Sequence, residues 1–136
     1  MLENNHEKKP KKYAGILAHP TSFPSPYGIG DLGKGAYRFI DFLANSGLNL
    51  WQVLPLGHTG FGDSPYQPFS AFAGQPLIID LDALKEYKLL SEDDFTDMPE
   101  WDPIHIDYGT LITFKTKLLK LAYERFTDPD YEDGLS

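Results

Sequence analysis

Two short apolar runs, separated by a loop and one amphipathic segment, constrain this chain more than any other feature. Tyr13–Ala18 (YAGILA) and Leu48–Leu56 (LNLWQVLPL) are nearly continuous in apolar residues. Runs of that length suit strands, and near-continuous ones suit a parallel sheet covered on both faces. Between them Leu32, Ala36, Phe39, Ile40 and Leu43 recur at helical spacing. Asp31 is the expected N-cap, and Gly47 the expected stop after Asn45-Ser46. Strand, loop, helix, strand is a βαβ unit, whose crossover is right-handed and whose helix covers the sheet. The fold class is therefore α/β.

Further along the chain the signals are shorter. Leu77–Leu81 (LIIDL) is strand-like, Leu84–Leu90 fits a helical turn, and Ser91–Asp94 fits a capping box that opens an acidic turn. Leu111, Phe114, Leu118, Leu121 and Ala122 predict a helix over Tyr108–Phe126. Residues 1–12 read as a disordered tail, and residues 127–136 as a polar end with no closing element.

Composition excludes several classes. With 136 residues, 41% hydrophobic and 24% charged, the chain fits one globular domain. The absence of cysteine rules out disulfide scaffolds, thiol catalysis and Cys-ligated metal. Net charge is −8, and the basic cluster Lys8, Lys9, Lys11 and Lys12 lies in the tail, so no surface for a nucleic acid is expected. The polar N-terminus lacks a signal-peptide core, and no apolar run approaches a membrane span. A soluble, cytoplasmic protein is the expectation.

The loop PYGIGDLGKGA (Pro26–Ala36) mimics two phosphate motifs. Gly28, Gly30 and Gly33 make G-x-G-x-x-G, whereas Gly28, Gly33 and Lys34 make G-x-x-x-x-G-K. Both fail on context. Gly35 stands where a phosphate loop needs Ser or Thr for magnesium. Residues His19 to Gly28 separate the strand from the first glycine, and the second strand ends in Val53-Leu54-Pro55-Leu56 without the ribose-binding acid. The glycines are better read as tight-turn and close-approach residues.

The loop Gly57–Pro76 (GHTGFGDSPYQPFSAFAGQP) carries the better functional signal. Long loops without secondary structure are functional or disordered, and the aromatic content speaks against disorder. It leaves the C-terminal end of the second strand, the usual ligand side of such folds. Phe61 and Tyr66 offer ring faces to the C–H faces of a sugar, while Asp63, Ser64 and Gln67 offer bonds to hydroxyls. The plainer alternative is that the two rings pin the loop to the body. His58 and His105 show no metal-ligand spacing, and no metal site is expected. His19 ends the first strand on the same side and reads either as a site residue or as a hydrogen-bonded structural histidine. Trp51 and Gln52 read as core.

The ordered segments GILAHPTSFPSPYGIGDLG, WQVLPLG, TGFGDSPYQPFSAFAGQPLIIDL and IDYG resemble the start of glycoside hydrolase family 77, the 4-alpha-glucanotransferases or amylomaltases. The resemblance runs from Tyr13 to Phe126. It implies the N-terminal part of a (β/α)8 TIM barrel, about two βα units plus the start of an inserted subdomain. It implies transfer of α-1,4-glucan segments between maltooligosaccharides by a retaining double displacement, without metal or organic cofactor. Carried over by position, Tyr66 resembles the ring beneath the donor sugar, with Ser64 beside it, Asp63 and Gln67 as further candidates, and Phe61 an outer aromatic. The family's nucleophile, acid/base and stabilising carboxylates match nothing here; Asp31, Asp41, Asp63, Asp80, Asp82 and Asp107 read as caps, turns or surface. A barrel of this type typically needs about 250 residues. The expectation is therefore an N-terminal piece with no catalytic residue of its own, completed by the rest of the barrel. The alternative is a non-catalytic glucan-binding or complementing fragment.

Overall fold

The computed structural model describes residues 12–57 and 74–132. Strand β1 (Gly15–Leu17) leads through a loop to helix α1 (Lys34–Asn45) and then to strand β2 (Leu50–Gln52). The strands pair in parallel, Gly15 opposite Leu50, Ile16 opposite Trp51 and Leu17 opposite Gln52. The expected βαβ unit is thus present. Among the described residues, helix α2 (Leu81–Glu86) and helix α3 (Tyr108–Phe126) complete the regular elements, together with 3₁₀ turns at Pro20–Ser22, Pro76–Ile78 and Glu92–Phe95.

The cap of α1 differs from expectation. Gly33 is the N-cap residue. Asp31 sits two residues earlier and accepts the N–H of Gly33 at 3.0 Å, so its carboxylate closes a turn before the helix rather than the helix itself. The C-terminus follows the sequence. Gly47 has φ +70°, and its N–H reaches the carbonyl of Ala44 at 3.1 Å while that of Leu48 reaches Leu43 at 2.9 Å.

The strands are shorter and more open than their apolar runs predict. Leu17 is 55% exposed and Leu50 50% exposed. The expected burial on both faces is absent, and Gln52, read as core, is exposed, because cover for the alternate strand positions must come from further layers of structure. One covered patch is aromatic. Phe23, Phe39 and Trp51 meet with ring centroids 5.0 to 5.6 Å apart, and the Trp51 indole donates to the carbonyl of Ala18 at 2.8 Å. This cluster ties the loop after β1 to α1 and β2.

Leu77–Leu81 is not a strand. Pro76 starts a 3₁₀ turn, and Asp80 caps α2 by accepting the N–H of Asp82 at 2.9 Å. Proline and a capping aspartate impose local geometry that a short apolar run does not override. The helical turn expected over Leu84–Leu90 begins earlier, at Leu81, and ends at Glu86, with Lys88 at φ +59° just beyond its C-cap Tyr87. Leu81, Phe114 and Leu118 anchor the second core, where α3 packs on α2 and on the turn at Phe95. The end after α3 is also tied down: the Tyr131 hydroxyl donates to the carbonyl of Tyr87 at 2.8 Å.

Candidate functional site

The loop between β1 and α1 opens with His19. Its Nδ1 lies 2.7 Å from the Thr21 hydroxyl and accepts the Thr21 N–H at 3.4 Å, capping the first 3₁₀ turn. Its Nε2 is buried without a hydrogen-bond partner among the described residues. The histidine thus has a structural task at the C-terminal end of the strand.

The glycines that follow are packing residues. Gly28 has φ +79°, and a Cβ there would lie 2.5 Å from the Trp101 ring. A Cβ on Gly30 would strike the carbonyl of Pro20 at 2.2 Å, and one on Gly33 would strike the carboxylate of Asp80 at 2.6 Å. The backbone therefore approaches protein rather than leaving room for a phosphate. At the mouth of α1 the N–H of Gly33 is already taken by Asp31.

Tyr27, from the same loop, is buried and reaches across to α2. Its hydroxyl donates to the Asp82 carboxylate, and Lys85 bridges Asp82 and Glu92, each at 3.0 Å. The Lys85 ammonium also lies 4.9 Å from the centre of the Phe95 ring. Burial and the bond to Asp82 push the Tyr27 phenol up to about 12. Burial alone would raise Asp82, but the Tyr27 hydroxyl and the Lys85 ammonium more than offset it, and the carboxyl is held below its ordinary value.

A second polar knot lies beneath the loop. Lys115, on α3, is fully buried and donates to the carbonyls of Leu77 at 2.6 Å and Ile79 at 3.1 Å. Burial pulls its pKa down to about 8, against the attraction of Asp31 and Asp80. Asp31 is itself buried, which raises its pKa although Gly33 and Ser25 donate to it.

A cleft of about 1000 Å³ runs between the loop Thr21–Gly30 and the strap Met98–Ile106. Trp101 forms part of its wall, packed edge-on to Phe114 with centroids 5.5 Å apart. Asp102 shapes the strap, accepting the N–H groups of Ile104 at 2.7 Å and His105 at 3.1 Å. Sequence reasoning did not single out this wall. The available signal was a tryptophan in a proline-flanked segment without periodicity.

Phe61, Asp63, Ser64, Tyr66 and Gln67, and with them His58, lie outside the described residues. The structure describes the two roots of their loop, Gly57 after β2 and Gly74–Asp80 before α2. Among the described carboxylates Asp31 closes a turn, Asp80 caps α2, Asp107 caps α3 and Asp41 is exposed, as expected, whereas Asp82 is a partly buried partner of Tyr27 and Lys85. Among the described residues no three side chains are grouped to hold a metal ion, and no helix is long and apolar enough to cross a membrane.

Residues 18–134 match the family model described as 4-alpha-glucanotransferase, of glycoside hydrolase family 77. This chain belongs to the 4-alpha-glucanotransferase family. It is 50% identical over 115 residues to the 4-alpha-glucanotransferase of Clostridium butyricum, an alignment covering 84% of this chain and 24% of that protein. It is 48% identical over 116 residues to the enzyme of that name from Synechocystis sp., covering 85% of this chain and 23% of that protein. A solved amylomaltase from Streptococcus agalactiae, in complex with acarbose, superposes with a TM-score of 0.80 at 41% identity, covering 88% of this chain and 24% of that one. The chain thus spans about a quarter of the length of the 4-alpha-glucanotransferases it matches.

Proposed function

We propose that residues 13–126 form the opening of a (β/α)8 barrel, with an inserted subdomain beginning after β2, in a cytoplasmic 4-alpha-glucanotransferase of starch and glycogen metabolism. The reaction moves α-1,4-glucan segments between maltooligosaccharides. One carboxylate attacks the anomeric carbon, and a carboxylic acid protonates the departing oxygen. The same group, now a base, then takes the proton of the acceptor hydroxyl as it displaces the enzyme carboxylate, with overall retention. These carboxylates are assigned to the rest of the barrel. This chain contributes Tyr66 as the ring beneath the donor sugar, Ser64, Asp63 and Gln67 as hydroxyl partners, and Phe61 as an outer aromatic. The chemistry calls for no cofactor.

The observation that carries this reading is the family match over residues 18–134, with 50% identity over 115 residues to the Clostridium butyricum relative beside it. Support comes from the parallel β1–β2 pair, since their C-terminal ends face the ligand side in such folds. The test is complementation. The purified chain is mixed with the remainder of the Clostridium butyricum relative, given maltotriose, and the products are separated by chromatography. The chain alone is expected to leave maltotriose unchanged, and the mixture to release glucose and longer oligomers, with Tyr66→Ala cutting the rate at least about tenfold. Saturable glucan binding without products in the mixture would favour a non-catalytic binding fragment instead.

A further inference from the structure

The cleft between the loop Thr21–Gly30 and the strap Met98–Ile106 holds about 1000 Å³, the upper end of the roughly 300–1000 Å³ of small-molecule sites. That is room for a short chain of linked rings rather than for one. Both walls are fixed before anything binds. Pro24 and Pro26 stiffen the loop, and Pro99 and Pro103 the strap. The N–H of Gly30 donates to the carbonyl of Thr21 at 3.1 Å, and Trp101 is wedged between Gly28 and Phe114. Rigid walls reduce the ordering cost of binding.

Charge narrows the ligand class. Among the described residues that line the cleft none is lysine or arginine, while Glu100 and Asp102 are both exposed there. An anionic ligand would meet repulsion without a counter-charge. Apolar surface lies beside the acids: Ile104 is 81% exposed, and Met98 and Ile106 of the same strap are exposed as well. Exposed apolar surface rimmed by polar groups marks ligand grooves. A neutral sugar chain offers C–H faces to such walls and hydroxyls to the Ser22 hydroxyl and the two carboxylates. Position agrees. Strands β1 and β2 are parallel, so the loop that builds this cleft and the loop after β2 leave the sheet at one end, the ligand side of such folds.

We propose that this cleft is a subsite for a neutral α-1,4-glucan segment, distinct from the sugar platform assigned to Tyr66. The choice of glucan rests on the functional reading given above; the cleft's geometry does not. The test is an NMR titration of the isotope-labelled chain with maltoheptaose, followed at the indole N–H signals. Trp101 forms part of the cleft wall, and Trp51, whose indole is bonded to the Ala18 carbonyl, is the reference. The Trp101 signal is expected to shift saturably. Ser22→Arg, which places bulk in the cleft from an exposed position, should weaken that binding at least about tenfold, and Tyr66→Ala should leave it unchanged.

Binding lost in Tyr66→Ala and kept in Ser22→Arg would overturn the cleft and leave Tyr66 as the platform. A Trp101 signal that maltoheptaose does not move would also overturn the cleft, while the maltotriose complementation still decides the transfer reading. Inorganic phosphate moving the same signal at lower concentration than maltoheptaose would overturn the neutral ligand class. Should the chain alone give no folded spectrum, the titration is run on its complex with the remainder of the Clostridium butyricum relative, with the same expected outcomes.

Discussion

The guanidinium of Arg125 closes on the carboxylate of Asp94 with two bonds, 2.6 and 2.9 Å long, across 31 residues of sequence. The same carboxylate accepts the N–H of Ser91 at 2.7 Å, and the same guanidinium donates to the carbonyl of Leu89 at 3.0 Å. One pair thus joins the cap of the acidic turn to the last turn of α3. The Arg125 guanidinium, with the bonds from Ser91, holds the Asp94 carboxyl well below the usual range. Arg125→Ala is expected to cost about 1.5–3 kcal/mol, as for bonds to charged groups. A pKa depressed in the folded state contributes stability that is complete above about pH 4 and is lost as pH falls through the folded value. In urea titrations the gap between the two proteins should therefore narrow in acid to what the bond to the Leu89 carbonyl contributes; a gap that does not narrow would refute the pairing.

Lys115 acts in the opposite sense. Its folded pKa near 8 lies below the ordinary 10.5, so between these values the unfolded chain binds more protons. Stability then rises with pH through that window. The advantage of the native protein over Lys115→Met should grow from pH 8 to pH 10 in parallel denaturant titrations. A flat difference would show that the amine titrates normally.

Gly28 is irreplaceable on two counts, its φ of +79° and the Trp101 ring against its α-carbon. Gly28→Ala should cost about 2 kcal/mol or more from left-handed strain and displacement of the indole. Loss of near-ultraviolet circular dichroism from the tryptophans, along with a lowered Tm, would register it.

Lys88 follows the C-cap of α2 at φ +59° and is exposed. Glycine adopts this conformation without the side-chain penalty. Lys88→Gly is expected to stabilise by about 0.5–1 kcal/mol, read as a rise in Tm. A fall in Tm would mean that the side chain contributes more than its backbone strain costs.

Tyr27→Phe removes the donor to Asp82 and leaves a charged carboxylate short of a partner. A loss of about 1–2 kcal/mol is expected. The native phenol, held near 12, keeps its proton in the folded state beyond the ordinary 10, so its contribution is complete below pH 10 and disappears as pH rises toward 12. The two proteins should therefore become equally stable in strong alkali, as measured by circular dichroism.

Sequence by itself determined the βαβ order, the span of α3, the Gly47 stop and the acidic turn at Ser91, because periodicity and capping act between residues a few positions apart. It also determined the family, since the ordered segments from Gly15 to Gly109 are a long colinear signature. The site residues named from the second loop, Tyr66 foremost, remain a sequence-level assignment. Tertiary structure decided matters that depend on distant partners. Only packing against Trp101, Pro20 and Asp80 shows why three glycines stand in one loop. Only the reach of α3 back to Leu77 and Ile79 explains a lysine inside an apolar helix face. Only the cap at Asp80 turned an apolar run from strand to helix start. Each outcome is set by contacts across tens of residues, which local spacing does not record.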